Sequence, residues 1–353
     1  MKKKVLIIGP SPFKSKGGMA TVIQEMLESE VLNNDFDLEM HESYRDGNIF
    51  YRLLFSIYSF IKFLFIYKKY DVFHIHMASY GSTFRKGLYI NFLKGKNKKI
   101  ILHIHGAEYL IFYNGLSENK KLKVKKIWEI ADKIIVLSEQ WEKDFFKIFK
   151  LENIIVINNG INIKKLKLAI SRTEEKQNNF LLLGRLGKRK GAYDLIKAIE
   201  ILKEEFQKIK LYMAGDGEIE EIKKIVKDKK LEENIEVVGW ADFNKKIQLL
   251  RKVSTIVLPS YNEGLPMTIL EGMATGKFII STNVGGIPEV VINNENGIII
   301  EPGDIQGLAI AMKKVLTDIE FVKKCSENNI KKIEESFSME KMHIKIRNNW
   351  REK

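Results

Sequence analysis

Cysteine occurs once in the 353 residues, at Cys325, so no disulfide can close within the chain. No Asn-x-Ser/Thr triplet occurs either, and a reducing cytoplasm is the expected compartment. Proline is scarce and confined: its six positions are Pro10, Pro12 and four between Pro259 and Pro302, which excludes a proline-rich spacer in mid-chain. Long apolar runs are missing. After Lys2, Lys3 and Lys4, the run Val5 to Ile8 reads as a buried strand and is too short for a signal peptide. The stretch from Ile49 to Tyr67 carries Arg52 and Lys62, a poor fit to the roughly 20 uncharged residues of a spanning helix. Hydrophobic residues at 45% and charged residues at 29% exclude a disordered chain.

Acid is scarce in one segment. Between Arg45 and Lys126 stand 16 basic residues against 4 acidic ones, so +12 of the net +14 falls in under a quarter of the chain. Such a patch faces polyanions, either nucleic acid or an anionic membrane. No helix-turn-helix or RNA-binding signature accompanies it, and nucleic acid is not the expected partner. At helical spacing Arg52, Ser56, Ser59 and Lys62 fall on one stripe, leaving a wide apolar and aromatic face. That pattern suits a helix lying in a membrane surface and equally one buried on a sheet.

The chain length suggests about two domains. Short apolar runs alternate with helical stretches: Val5 to Ile8, Val72 to Ile75, Ile100 to Ile104, Ile134 to Leu137 and Ile154 to Ile157. A second series follows from Phe180 to Leu183, Ile209 to Ala214, Ile235 to Val238, Thr255 to Leu258, Phe278 to Ser281 and Gly297 to Ile300. The expectation is two α/β, Rossmann-like, doubly wound domains facing each other across a cleft. Residues 1–164 form the first, 165–178 a linker and 179–336 the second, with a terminal helix over 337–353 crossing back to the first. Ligands of such sheets sit beyond the carboxyl ends of the strands.

The motifs stand at those ends. Gly17 and Gly18 follow the first strand and open a helix whose amides suit an anion, although the loop fits neither the dinucleotide nor the Walker pattern. Gly184, Arg185, Gly187, Lys188, Arg189, Lys190 and Gly191 gather cations and glycines for a phosphate or diphosphate. The segment from Pro259 to Ala274 places Pro266 at a helix start, so that Gly264, Leu265, Pro266 and Met267 lie at its positive end. Glu263 and Glu271 flank it, spaced to reach different hydroxyls of one ligand. His74, His76, His103 and His105 pair up on two strands. A four-histidine metal site is conceivable, but no acidic or cysteine ligand joins them. His105, last before a glycine turn, is the better candidate to touch a substrate.

Taken together, these residues resemble the retaining glycosyltransferases of family 4, of the bacterial surface-polysaccharide type with the GT-B fold. The carriers are Glu263-x7-Glu271 within Asn-Glu-Gly-Leu-Pro-Met, Gly184-Arg185 with Lys190-Gly191, Asn159-Gly160-Ile161, Ala214-Gly215-Asp216-Gly217, Val238-Gly239 and Gly17-Gly18. The resemblance implies a nucleoside-diphosphate sugar donor, UDP-linked by family frequency, and no metal or other cofactor. Arg185 and Lys190 would neutralise the diphosphate, with the amides at Gly264 to Met267 and at Gly18. Glu271 would hold the ribose, Glu263 the transferred sugar and the backbone at Gly239 the base, while His105 would touch the sugar near the reacting carbon. His105 and Glu263 are thus the expected catalytic residues. Ala107 departs from the hydroxyl residue that related members often carry. The acceptor is expected to be a lipid-linked saccharide, and the enzyme to sit peripherally on the inner face of the membrane. A sugar-nucleotide epimerase of the same fold and a non-enzymatic polyanion-binding protein are the alternatives.

Overall fold

The computed structural model describes residues 2–15, 17–166, 169 and 179–352. The chain divides into two compact units, Met1–Asn159 with Met339–Lys353, and Gly160–Ser338. Most of the stretch expected to be linker lies outside the described residues.

The first unit is built on a parallel sheet of β1 (Lys3–Pro10), β2 (Phe36–Tyr44), β3 (Val72–Met77), β4 (Lys99–Ile104), β5 (Lys133–Val136) and β6 (Ile154–Val156), in the order β2-β1-β3-β4-β5-β6. Central strands are covered on both faces, and accordingly β3 is buried from end to end. Strand β2 lies at the edge and alternates buried with solvated positions, which is why its sequence shows no apolar run. Against the sheet, Trp128 stacks on Phe149 with ring centroids 4.1 Å apart. The C-terminal helix Met339–Arg351 belongs to this unit: Trp350 is buried against Phe36, and Arg351 pairs with Asp35 at 2.6 Å.

The helix Ile49–Ile66 begins at Asn48, whose side chain accepts from the Tyr51 amide at 2.9 Å. Its orientation reverses the usual rule. Ser59, from the polar stripe, is buried and bonds His41 at 2.8 Å and the Glu42 carbonyl at 2.7 Å. Phe63 is buried beside it, yet Phe50, Leu54 and Phe65 are 75%, 67% and 80% exposed. Of the two readings of this helix, burial on the sheet therefore holds only for a narrow strip.

The second unit carries β7 (Asn179–Leu183), β8 (Lys210–Ala214), β9 (Ile235–Gly239), β10 (Thr255–Leu258), β11 (Phe278–Thr282) and β12 (Ile298–Ile300). Their order, β12-β11-β10-β7-β8-β9, is also wholly parallel. The direction of winding reverses between β7 and β10. The helix Met267–Ala274 presses on this sheet through Gly272, where a Cβ would stand 2.7 Å from Ile256 and 3.1 Å from Ile279. Gly272 thus serves packing, although it sits inside the carboxylate motif. In this unit the Ile161 amide donates to the Phe337 carbonyl at 2.8 Å, so the two points where the chain changes unit are bonded side by side.

Candidate active site

In an open α/β sheet, neighbouring strands whose connections run to opposite sides leave a crevice at their carboxyl ends. In the second unit those strands are β7 and β10, and the loops after them carry Arg185 to Lys190 and Pro259 to Glu263. The loops are stitched together. Tyr261 donates its amide to the Arg189 carbonyl at 2.9 Å, and Arg189 Nη1 donates to the Asn262 carbonyl at 3.0 Å. Gly191 makes the approach possible: its φ of +69° is left-handed, and a side chain there would collide with the Pro259 carbonyl.

The stitching brings Lys190 Nζ to 2.5 Å from Glu263 Oε1, with both side chains nearly closed to solvent. Arg189 stands 3.9 Å from the same carboxylate, and Arg185 is exposed nearby in sequence at the loop's start. Glu263 is followed by buried Gly264, Leu265 and Pro266, and the helix then starts at Met267 with no side-chain cap on its first amides. Those amides carry the positive end of the helix dipole and are open to a ligand's oxygens. Glu271, just over one turn along this helix, is buried and paired with Lys246 from the helix Phe243–Lys252. Gly239 closes β9 with φ +76° and accepts from the Gly215 amide at 2.7 Å. Arg185, Lys188, Arg189, Lys190 and Lys246 thus outnumber Glu263 and Glu271 by five to two, a positive surplus that suits a diphosphate. Lys246 was not singled out from sequence, because it lies in a lysine-rich helix with nothing to distinguish it from Lys245.

The first unit holds the remaining candidates. Gly17, with φ +114°, precedes the helix Gly18–Leu27, which also lacks a side-chain cap, and both glycines are exposed. His105 follows β4 with its amide on the Met77 carbonyl at 2.8 Å. It heads a column of imidazoles: His105 Nε2 lies 2.8 Å from His76 Nδ1, and His74 Nε2 lies 3.1 Å from His103 Nδ1. Trp350 Nε1 donates to His74 Nδ1 at 3.0 Å. An indole is only a donor, so the neutral His74 must carry its proton on Nε2 and give it to His103 Nδ1. Burial keeps all four rings neutral near pH 7, with His74 and His105 at about 3 and His76 and His103 well below the usual value. His74, His76 and His103 have nitrogens within 4.8 Å of one another, but these hydrogen bonds already engage both nitrogens of His74 and one on each partner.

Residues 17–165 match the family described as Glycosyltransferase Family 4, and residues 164–332 match Glycosyl transferases group 1. The chain is 32% identical over 279 residues to a glycosyltransferase of Methanocaldococcus jannaschii, covering 78% of this chain and 74% of that one. It is 27% identical to the capsular polysaccharide biosynthesis glycosyltransferase CapM of Staphylococcus aureus, covering 67% of this chain and 63% of that protein. Among solved structures, sucrose-phosphate synthase of Thermosynechococcus elongatus superposes with a TM-score of 0.80 at 19% identity, over 99% of this chain and 98% of the other. HepE of Anabaena, solved with UDP-glucose, gives 0.78 at 18% identity over 98% and 99%. Two parallel six-stranded sheets clad in helices, with these likenesses, give the chain the α/β two-domain GT-B fold. Its first half matching Family 4 and its second half group 1, the chain belongs to the glycosyltransferases.

Proposed function

We propose that this glycosyltransferase is a retaining enzyme that moves a sugar from a UDP-linked donor to a lipid-linked saccharide during surface-polysaccharide synthesis. The observation that carries the donor half is the β7/β10 crevice, where Lys190 and Glu263 meet beside an uncapped helix start. The UDP-glucose bound by HepE and the capsular role in CapM's name support the choice of donor and pathway.

In this reading Arg185 and Lys190 bind the diphosphate, joined by the backbone amides of Gly264 and Met267. Charge builds on the leaving diphosphate as the bond to the sugar's anomeric carbon breaks, and fixed cations and amides stabilise it. The cations in excess of Glu263 and Glu271 are assigned to this charge, and the reaction is assigned no metal. Glu263, which Lys190 holds in the free protein, accepts from hydroxyls of the transferred sugar; Glu271 accepts from the ribose, and the backbone at Gly239 meets the base. The roles of Gly17 and Gly18 toward the donor's phosphate and of neutral His105 toward its sugar are taken from the family resemblance. The acceptor hydroxyl attacks the same face, and its proton passes to the departing diphosphate oxygen. The exposed apolar face of the helix Ile49–Ile66, within the basic segment, is assigned to the cytoplasmic membrane surface, where a lipid-linked acceptor resides.

Release of UDP from a panel of UDP-sugars, with alkyl glycosides as acceptors and with or without EDTA, tests this reading. The expected product keeps the donor's anomeric configuration and forms equally with EDTA. An inverted product overturns the stereochemistry, and loss of activity with EDTA overturns the metal-free assignment.

A further inference from the structure

Between the helices Ile49–Ile66 and Gly81–Leu93 of the first unit runs a groove of about 560 Å³. That volume lies within the roughly 300–1,000 Å³ of small-ligand sites. Leu53, Ile57, Phe60, Ile61 and Leu88 wall it, and Tyr89 backs it, packed edge-on against Phe60 with centroids 5.2 Å apart. The polar end is different in kind. Arg85 lies over the Tyr44 ring, 4.7 Å from its centroid, and Arg52 Nη1 donates to the Tyr44 hydroxyl at 3.5 Å.

Two guanidiniums therefore share one tyrosine at the end of an apolar trough. No carboxylate lines the groove among the described residues; Asp46, whose charge reaches Arg52, stands outside the lining. The Nε–H of Arg85 is buried without a hydrogen-bond partner. Burial and the neighbouring charge of Arg52 both weigh against the charged form of Arg85. Like charges held together beside an unsatisfied donor are stabilised by an anion, and a guanidinium matches the oxygens of a phosphate through paired N–H bonds.

We propose that this groove binds a phosphate-headed amphiphile of the membrane surface. Its phosphate sits between Arg52 and Arg85 against Tyr44, and its hydrocarbon chain lies along Leu53, Ile57 and Leu88. The site takes from the preceding section only the membrane as the ligand's source, and it does not depend on sugar transfer.

Decyl phosphate and decyl maltoside, each below its micelle concentration, are titrated calorimetrically into the full-length protein. Charge-assisted bonds to the head group predict a preference for the phosphate of about tenfold or more. Arg52→Gln and Arg85→Gln should each erase that preference, and Leu88→Trp should block both ligands by filling the trough. Equal binding of the two amphiphiles overturns the proposal, as does an undiminished preference in Arg52→Gln, an exposed position whose change leaves the fold intact. Displacement of decyl phosphate by equimolar inorganic phosphate would mean a site for free anion, and also overturns it. UDP binding is measured on the same samples: a phosphate preference without UDP binding leaves the groove standing while the donor reading falls. Protein that pellets with phosphatidylglycerol vesicles as strongly in both Arg variants as in wild type keeps the membrane reading and sinks the groove.

Discussion

Lowering the pH from 7.5 to 5.0 should remove most of the stability of the first unit and little of the second. All six histidines lie in the first unit, and all are held below the usual value by burial. His41 and His343 are lowered to about 4, and His74 and His105 to about 3, from 6.5. These groups stabilise the fold fully above pH 6.5, where folded and unfolded chains are both neutral. As the pH falls below 6.5 the unfolded chain binds protons that the folded one refuses, and stability is lost until the folded values are reached. Linkage gives about 2 kcal/mol per histidine between pH 7.5 and 5.0, or about 8 kcal/mol for these four. A domain's whole stability is about 5–15 kcal/mol, so the loss approaches unfolding. Trp128, Trp141 and Trp350 report on the first unit and Trp240 on the second, so a Trp240→Phe variant reads the first unit alone. Its urea midpoint, followed by tryptophan emission, should fall steeply between pH 6.5 and 5.5, where ordinary carboxylates hardly titrate. His343→Leu should reduce the slope by one proton, about 1.4 kcal/mol per pH unit. A midpoint that stays flat across this window would refute the reasoning.

Three further outcomes follow from the site geometry. Lys246→Ala strands the buried Glu271 carboxylate and should cost about 1–3 kcal/mol by chemical denaturation, part of it recovered with UDP present, since in the proposed donor site ribose hydroxyls would take the lysine's place. No recovery would detach Glu271 from the nucleotide. Lys190→Ala should lower kcat by about 100-fold or more with an unchanged circular-dichroism spectrum, because in the proposed reaction the lysine faces charge that develops on the leaving group; near-normal turnover removes it from the site. Trp350→Phe leaves His74 Nδ1 unpaired and should cost about 1–3 kcal/mol in the same urea assay, and no change would show that the histidine tautomers are not set by the indole.

The strand ends were legible because a parallel, doubly covered sheet writes itself as apolar runs: β3, β4 and β11 sit where Val72, Ile100 and Phe278 begin those runs. Strand β2 was not, since at a sheet edge Asp37, Glu39 and Glu42 can face water or, for Glu42, bond Ser11 and Arg45. Of the candidate site, the pairing of Lys190 with Glu263 was not read from sequence, but the placing of both in loops at adjacent strand ends follows from glycine and proline punctuation. The partner of Glu271 does not, because only the tertiary packing of one helix on another selects Lys246 from its lysine neighbours. Ser59 shows the same limit. Its place on a polar stripe predicts solvent, yet its hydroxyl is buried on His41 and turns the apolar face of its helix outward.

The most direct test of the account is calorimetric titration of UDP into the full-length protein in the presence of EDTA, for wild type and Lys190→Ala. The account predicts saturable binding to the wild type and a loss of about tenfold or more in the variant, the worth of a charge-assisted phosphate contact. Absence of binding by UDP, or equal affinity in Lys190→Ala, would contradict the assignment of the β7/β10 crevice as the donor site.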